Sequence, residues 1–268
     1  MNDCTAEKKS NGTLTKRVDD QALLNQIELL LSLLPKVISG AIADSGTCLS
    51  TYFETEISIA SELTIRIRND LLTLKNSVSD KEPPNNVIRS LKAQVLSDKV
   101  PSTWLAYSNS NIGHFIGDLC KRTEQLELIS KSKQLASNSI CLHWLFDINA
   151  YLTVLQQFTA NTMKFSIEKL VLHCQIDAPK NNGCYFVMRD ASIEGAIFTD
   201  GKFVLTDAVT AVKLDVCYLF WSDEPINHDN VTDIPVYSSG DRSKFLFYCQ
   251  IDSKIGKDVI KRGVALIV

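Results

Sequence analysis

Hydrophobic residues recur at steps of three and four in the first part of the chain and at steps of two in the second, with the change near residue 165. Positions three and four apart share one face of a helix, whereas a strand changes face at every residue. Asp19 or Asp20 caps a first predicted helix that carries Leu23, Leu24, Ile27, Leu30, Leu31 and Leu34 until Pro35 ends it. The polar residues 1–18 ahead of it are expected to form a flexible tail. Beyond Gly40 and Gly46, the residues Phe53, Ile57, Ala60, Thr64, Ile67, Leu71, Leu74 and Val78 draw one long helical stripe. A third helix, capped by Asn85 or Asn86, turns Val87, Ile88, Leu91, Val95 and Leu96 inward and stops before Pro101. A fourth starts at Asn111 with Ile112, Phe115, Ile116, Leu119 and Leu126 on one side, although Gly113 and Gly117 weaken it. A fifth, with Asn149 as candidate cap, faces Leu152, Leu155 and Phe158 inward.

After Phe165 the β-branched and aromatic residues gather in runs at 169–176, 184–188, 193–198, 203–205, 212–221, 245–251 and 263–268. Asp200-Gly201 suits a two-residue type I′ hairpin, which needs positive φ at both central positions. Helices first and strands afterwards argue for an α+β fold. The expected organisation is a helical subdomain over 19–164 followed by a small, mainly antiparallel β-barrel or sandwich over 165–268.

Charge narrows the function. The 268 residues hold 28 Lys and Arg against 31 Asp and Glu, a net charge of −3, without the basic clustering that phosphate backbones require. Nucleic acid is therefore not an expected partner. The longest apolar stretch, near Leu29 to Leu34, is far short of the ~20 residues that span a bilayer, and the first residues lack the apolar core of a secretion signal. Eight dispersed cysteines read as reduced thiols of a cytoplasmic protein.

No candidate chemistry rises above background. The eleven glycines form no phosphate-cradling motif, so no nucleotide cofactor is expected. Cysteines and histidines lack zinc-ligand spacing, and His114, His143, His173 and His228 stand in no nucleophile motif. The acidic neighbours Glu54 with Glu56 and Asp223 with Glu224 read as solvated charge. No catalytic, cofactor-binding or metal-binding residue is assigned.

Five ordered blocks resemble the C-terminal domain of dynein heavy chains, microtubule motors of the AAA+ class. They are VPSTWL with Pro101 and Trp104; AYLTVLQQFTANTMKFSIEKL with Leu152 and Leu155; ASIEGAIFTDGKFVLT with Glu194, Gly195, Asp200 and Gly201; IPVYSSGDR with Pro235, Tyr237 and Arg242; and the ending IKRGVALIV with Arg262, Gly263, Ala265 and Leu266. Departures at HWLFDINA, residues 143–150, and at Phe198 look closer to the intraflagellar class of cytoplasmic dynein than to axonemal chains.

The resemblance implies a non-catalytic regulatory and structural piece of a far longer, minus-end-directed motor, acting in the cytoplasm and cytoskeleton, or in the cilium for the intraflagellar class. It also implies that the named residues are structural or interface positions, that ATP and Mg belong to AAA+ modules elsewhere, and that the partners are those ring modules and dynein complex subunits, with microtubules met only indirectly. Two other readings compete. One is a free-standing adaptor that binds a partner helix through the Phe53 to Val78 stripe. The other is a thiol enzyme, which needs a cysteine of depressed pKa beside a histidine.

Overall fold

The computed structural model describes residues 6–39, 42, 46–79, 85–104, 111–176, 184–199, 202–205, 211–223, 231–252 and 263–268. Among them are five helices: α1 (Ala6–Leu33), α2 (Cys48–Ser79), α3 (Asn86–Leu96), α4 (Ile112–Ser130) and α5 (Ile148–Met163). The strands are β1 (Ser139–Ile140), β2 (Val171–Gln175), β3 (Tyr185–Glu194), β4 (Ala196–Thr199), β5 (Lys202–Leu205), β6 (Val212–Ser222), β7 (Val231–Tyr237), β8 (Phe245–Asp252) and β9 (Ala265–Ile267). The fold is α+β. Two compact units divide it, residues 1–39 with 57–124 and residues 40–56 with 125–268. Helix α5 therefore groups with the strands, although its sequence period matches the helices before it.

In the first unit the periodic positions are the buried ones. Leu23, Ile27, Leu30 and Leu34 of the α1 segment, Ile67, Leu71 and Leu74 of α2, and Ile112, Phe115, Ile116 and Leu119 of α4 are all buried. Helix α1 begins at Ala6, well ahead of the predicted cap at Asp19 or Asp20. Asp20 instead accepts a 2.8 Å hydrogen bond from Lys92 of α3. The α3 cap is Asn85, whose side chain accepts from the Ile88 amide at 2.9 Å. Only Leu91 and Val95 of its predicted inner face are buried, because Val87 and Leu96 at the two ends stand 67% and 53% exposed. Asn111, where the fourth helix is expected to start, caps α4 by accepting from the His114 amide at 2.8 Å.

The α2 stripe is not a free surface. Phe53, Ala60, Thr64, Ile67, Leu71 and Leu74 are all buried within the protein, so the adaptor reading loses the face it needs. At its start Thr47 and Ser50 cap the helix reciprocally: each amide donates to the other's side-chain oxygen at 3.1 Å.

The second unit is built on a seven-stranded mixed sheet in the order β1-β3-β6-β2-β8-β7-β9, and β9 also pairs with β3. The ladder β3-β6-β2-β8-β7-β9 thus returns to its first strand. The sheet is mainly antiparallel, as expected, but it is mixed. Long antiparallel ladders join β3 to β6, β2 to β6 and β7 to β8, but β1–β3, β2–β8 and β7–β9 are parallel. Strand β9 lies between β7 and β3, parallel to the first and antiparallel to the second.

Strands β4 and β5 form a separate two-stranded sheet in which Thr199 pairs with Lys202. The predicted turn residues Asp200 and Gly201 between them lie outside the described residues. The sequence pattern hides β7, whose Pro235 argues against a strand. Pro235 is in register with Tyr248 of β8, and β9 pairs with β7 only from Val236 onward. Along β3 and β6 the buried phase slips by one residue, between Met188 and Ala191 and between Leu214 and Cys217. Asp190 takes a positive φ of 62° at that point, while the β3–β6 register continues unshifted on either side of it.

Candidate functional site

Three of the sequence blocks converge at one end of the sheet. Glu194 closes β3, Gly195 follows it, Tyr237 closes β7, Arg242 lies in the β7–β8 turn, and Gly263 leads into β9 with Ala265 and Leu266. Arg242 joins them. Its Nε and Nη2 donate to Glu194 Oε2 at 3.1 and 2.8 Å, and Nη2 also donates to the Gly263 carbonyl at 2.7 Å. One guanidinium therefore holds two segments that lie far apart in sequence. The fork of donors that arginine presents is suited to this task, whereas a lysine ammonium is a point charge without that planar geometry.

The backbone at this point is as demanding as the side chains. Gly195 has φ 77°, and a Cβ there would lie 3.3 Å from Val264 Cα and Cγ2. Gly263 has φ 71°, with Arg242 Nη1 only 3.4 Å from where its Cβ would be. Arg242 itself adopts φ 56°, a left-handed conformation that a non-glycine residue keeps only when its surroundings hold it. They do so through the turn. The Arg242 amide donates to the Ser239 carbonyl at 3.0 Å and the Ser238 amide to the Lys244 carbonyl at 3.1 Å. Within this turn the Ser239 hydroxyl and the Ser243 amide donate to Asp241, which lowers the carboxyl below its usual range.

Behind the clasp, Ala265 and Leu266 are buried between two strands, with Leu266 paired to Ile193 of β3 and Val236 of β7. In front of it lies an aromatic ridge. Arg242 Cζ sits 6.0 Å from the Tyr237 ring centre, Tyr237 meets Phe245 edge-on at 5.9 Å, and Phe245 contacts Tyr248 at 4.9 Å. The register shift between Val236 and Tyr237 turns Phe245 and Tyr248 outward together, and they are 48% and 60% exposed.

The other predicted positions lie elsewhere. Leu152 and Leu155 are buried on α5. In the first unit Trp104 is buried, donates from Nε1 to Asp70 at 2.9 Å and stacks on Phe115 at 5.9 Å, while its amide closes a turn onto the Pro101 carbonyl. Asp200, Gly201 and Arg262 are outside the described residues. A cleft of about 320 Å3 in the first unit is bordered by Asp70, Val87, Leu91 and Gln94, but the Asp70 carboxylate is already engaged by Trp104 and Thr103.

Sequence reasoning missed a second polar centre. Glu56, expected to be solvated, is 1% exposed and accepts hydrogen bonds from the Phe146 and Asp147 amides at 2.8 and 3.0 Å. Tyr52 donates to the Asp147 carbonyl at 2.9 Å, and burial followed by the nearby Glu56 charge drives its phenol far above the ordinary range. Asp147, rather than the predicted Asn149, caps α5 by accepting from the Ala150 amide at 2.9 Å. The signal was an aspartate just ahead of an apolar helix, in a stretch read for its aromatics instead.

Every described cysteine with a resolved shift is raised: burial lifts Cys120, Cys141 and Cys184, and the Cys174 hydrogen bond together with burial lifts Cys217. The thiol-enzyme reading needed the opposite. Among the described residues no group of three His, Cys, Asp or Glu side chains is placed to hold a metal ion. No described helix is long and apolar enough to cross a membrane.

The family model for the C-terminal domain of the dynein heavy chain matches residues 1–268. The protein belongs to this family. It is 30% identical over 204 residues to the cytoplasmic dynein heavy chain of Dictyostelium discoideum, a match covering 73% of this sequence and 4% of that protein. Against the cytoplasmic dynein heavy chain of Paramecium tetraurelia it is 28% identical over 265 residues, 92% of this sequence and 6% of the relative. Against that of Caenorhabditis elegans it is 26% identical over 243 residues, 88% and 5%. The 268 residues thus span only a small fraction of the length of the relatives they match. Within this dynein domain, the clasp is the point where three family-like blocks become one structure.

Proposed function

We propose that this protein is the regulatory and structural C-terminal region of a dynein heavy chain, a component of a minus-end-directed microtubule motor, and that it carries no ATPase site of its own. On this reading ATP and Mg bind AAA+ modules of the same heavy chain. Those modules and the other dynein complex subunits are its partners, it meets microtubules only indirectly, and it works in the cytoplasm and on the cytoskeleton. The ladder of strands that returns to β3 supports reading the second unit as a small β-barrel. The intraflagellar subclass, with a place in the cilium, rests on residues 143–150 and Phe198 alone.

The observation that carries the proposal is the clasp. Arg242, Glu194 and Gly263 use their polar groups on one another, in a rigid turn, and present beside them a ridge of exposed aromatic rings. Such a surface is suited to burial against another protein surface, since aromatic side chains combine large apolar area with few degrees of freedom.

The test uses the full-length heavy chain. Replacing Tyr248 and Phe245 by Ser, both exposed, is expected to change run length or stall force in single-molecule motility while basal ATPase stays largely in place. Unaltered motility with both rings removed would defeat the docking role.

A further inference from the structure

One row of register partners crosses five strands on the outer face of the sheet: Asp233 on β7, Gln250 on β8, His173 on β2, Phe220 on β6 and Tyr185 on β3. His173, at its centre, is 0% exposed, and neither of its ring nitrogens has a hydrogen-bond partner. Its ring lies nearly flat on Phe220, with centroids 5.0 Å apart and planes at 25°. An imidazole always carries at least one N–H, and buried polar groups are satisfied in the great majority of cases, so this one stands out.

The strands on either side of it are joined unequally. Strands β2 and β6 are in register from Val171 to Gln175, and β3 and β6 from Tyr185 to Ile193. Between β2 and β8, among the described residues, a single register pair makes the joint, and it is His173 with Gln250. The unsatisfied imidazole therefore belongs to the one described register pair that joins β2 to β8. We propose that His173 is a proton-sensitive latch on the β2–β8 joint, which stays closed while the ring is neutral and opens locally when the ring takes a proton.

A protonated ring would bring a full charge and two donors to a buried position where, among the described residues, neither nitrogen meets an acceptor. Among the described residues its register neighbours are the uncharged Gln250 of β8 and Phe220 of β6, with the Asp233 carboxylate of β7 and the Tyr185 phenol of β3 one strand further along the row, and the Tyr218 phenol of β6 opposite Gln175. Burial lowers its proton affinity, and the more distant Asp233 charge opposes this only in part. In the opened joint the ring is solvated and titrates near its ordinary value of about 6.5. The open form thus binds more protons than the closed one. Closure is favoured above that pH and loses ground as pH falls below it. A closed ring that excludes the proton raises the opening constant about tenfold between pH 7.5 and pH 5.5.

Hydrogen exchange on the full-length protein at these two pH values, corrected for the intrinsic pH dependence of exchange, reads this directly. Peptides covering β2 and β8 are expected to lose protection by up to about tenfold at pH 5.5, while the β3–β6 ladder keeps its protection. His173→Phe, which retains a ring against Phe220 but cannot titrate, is expected to abolish the difference. Equal protection of β2 and β8 at both pH values, an equal loss in β3 and β6, or a pH step that survives in His173→Phe would each overturn the latch. Should that variant not fold, histidine ring NMR of the wild-type protein decides: ring protonation accompanied by a change in the β2 and β8 amides supports the latch, and ring protonation without that change, or at the ordinary value of about 6.5 with the joint still closed, overturns it.

Discussion

At the scale of single residues, two glycines with the same side chain have opposite roles. Gly195 is required: its φ of 77° is one that residues with a side chain rarely adopt, and a Cβ there would press on Val264 at 3.3 Å. Gly195→Ala is expected to cost roughly 1–3 kcal/mol in denaturant titration. Gly117 lies inside α4, and a Cβ there meets nothing within 4 Å. Gly117→Ala should therefore stabilise the protein by about 0.5–1 kcal/mol, since it removes backbone freedom from the unfolded state and adds no clash. Arg242 offers a third contrast. Arg242→Lys keeps the charge but cannot reproduce the forked contacts to Glu194 and Gly263, so it is expected to lose most of what Arg242→Ala loses, about 1–3 kcal/mol by chemical denaturation. A lysine variant as stable as the wild type would show that charge alone holds the clasp.

At the scale of elements, α5 depends on its N-terminus. Its first amides meet Asp147, and the amides of Phe146 and Asp147 just before it meet the buried Glu56 carboxylate, so polar groups from two places in the sequence secure one helix end. Asp147→Ala is expected to cost about 1 kcal/mol, the usual value of a side-chain cap. Glu56→Ala is expected to cost more, about 2–4 kcal/mol, because it removes a buried carboxylate and leaves the Phe146 and Asp147 amides without their acceptor. Thermal melts of both variants check the ranking, and equal losses would mean that the Glu56 contacts are ordinary surface contacts. This centre also marks how far the sequence was legible. Helical stripes were readable because burial on one face imposes a period, and Ile112, Phe115, Ile116, Leu119 and Leu126 are all buried as predicted. A carboxylate on α2 that serves amides near residue 146 leaves no such trace, since the partners are brought together only by folding. The same holds for β7, where Pro235 hides the strand, and for β9, whose parallel pairing with β7 joins segments that only folding brings together.

At the scale of the molecule, the change of period near residue 165 is not where the structure divides. The second unit takes in residues 40–56 and 125–164 as well as the strands. Phe158 of α5 packs edge-on against Phe186 of β3 at 6.0 Å, Tyr151 lies 5.9 Å from Phe53, and β1 pairs with β3 through Ile140 and Met188. Removing these segments uncovers one side of a sheet whose residues Phe186, Met188, Leu219 and Trp221 are buried in the whole protein. Each such side chain draws roughly 1.5–3 kcal/mol from burial, and a domain has only about 5–15 kcal/mol of net stability to lose. The fragment 165–268, cut where the sequence changes character, is therefore expected to lack a cooperative unfolding transition and a near-UV circular dichroism signal. The full-length protein is expected to show both. A fragment that melts cooperatively with native-like near-UV signal would mean that the strands complete their own core, and that α5 and the Phe53 segment cover it without being needed to form it.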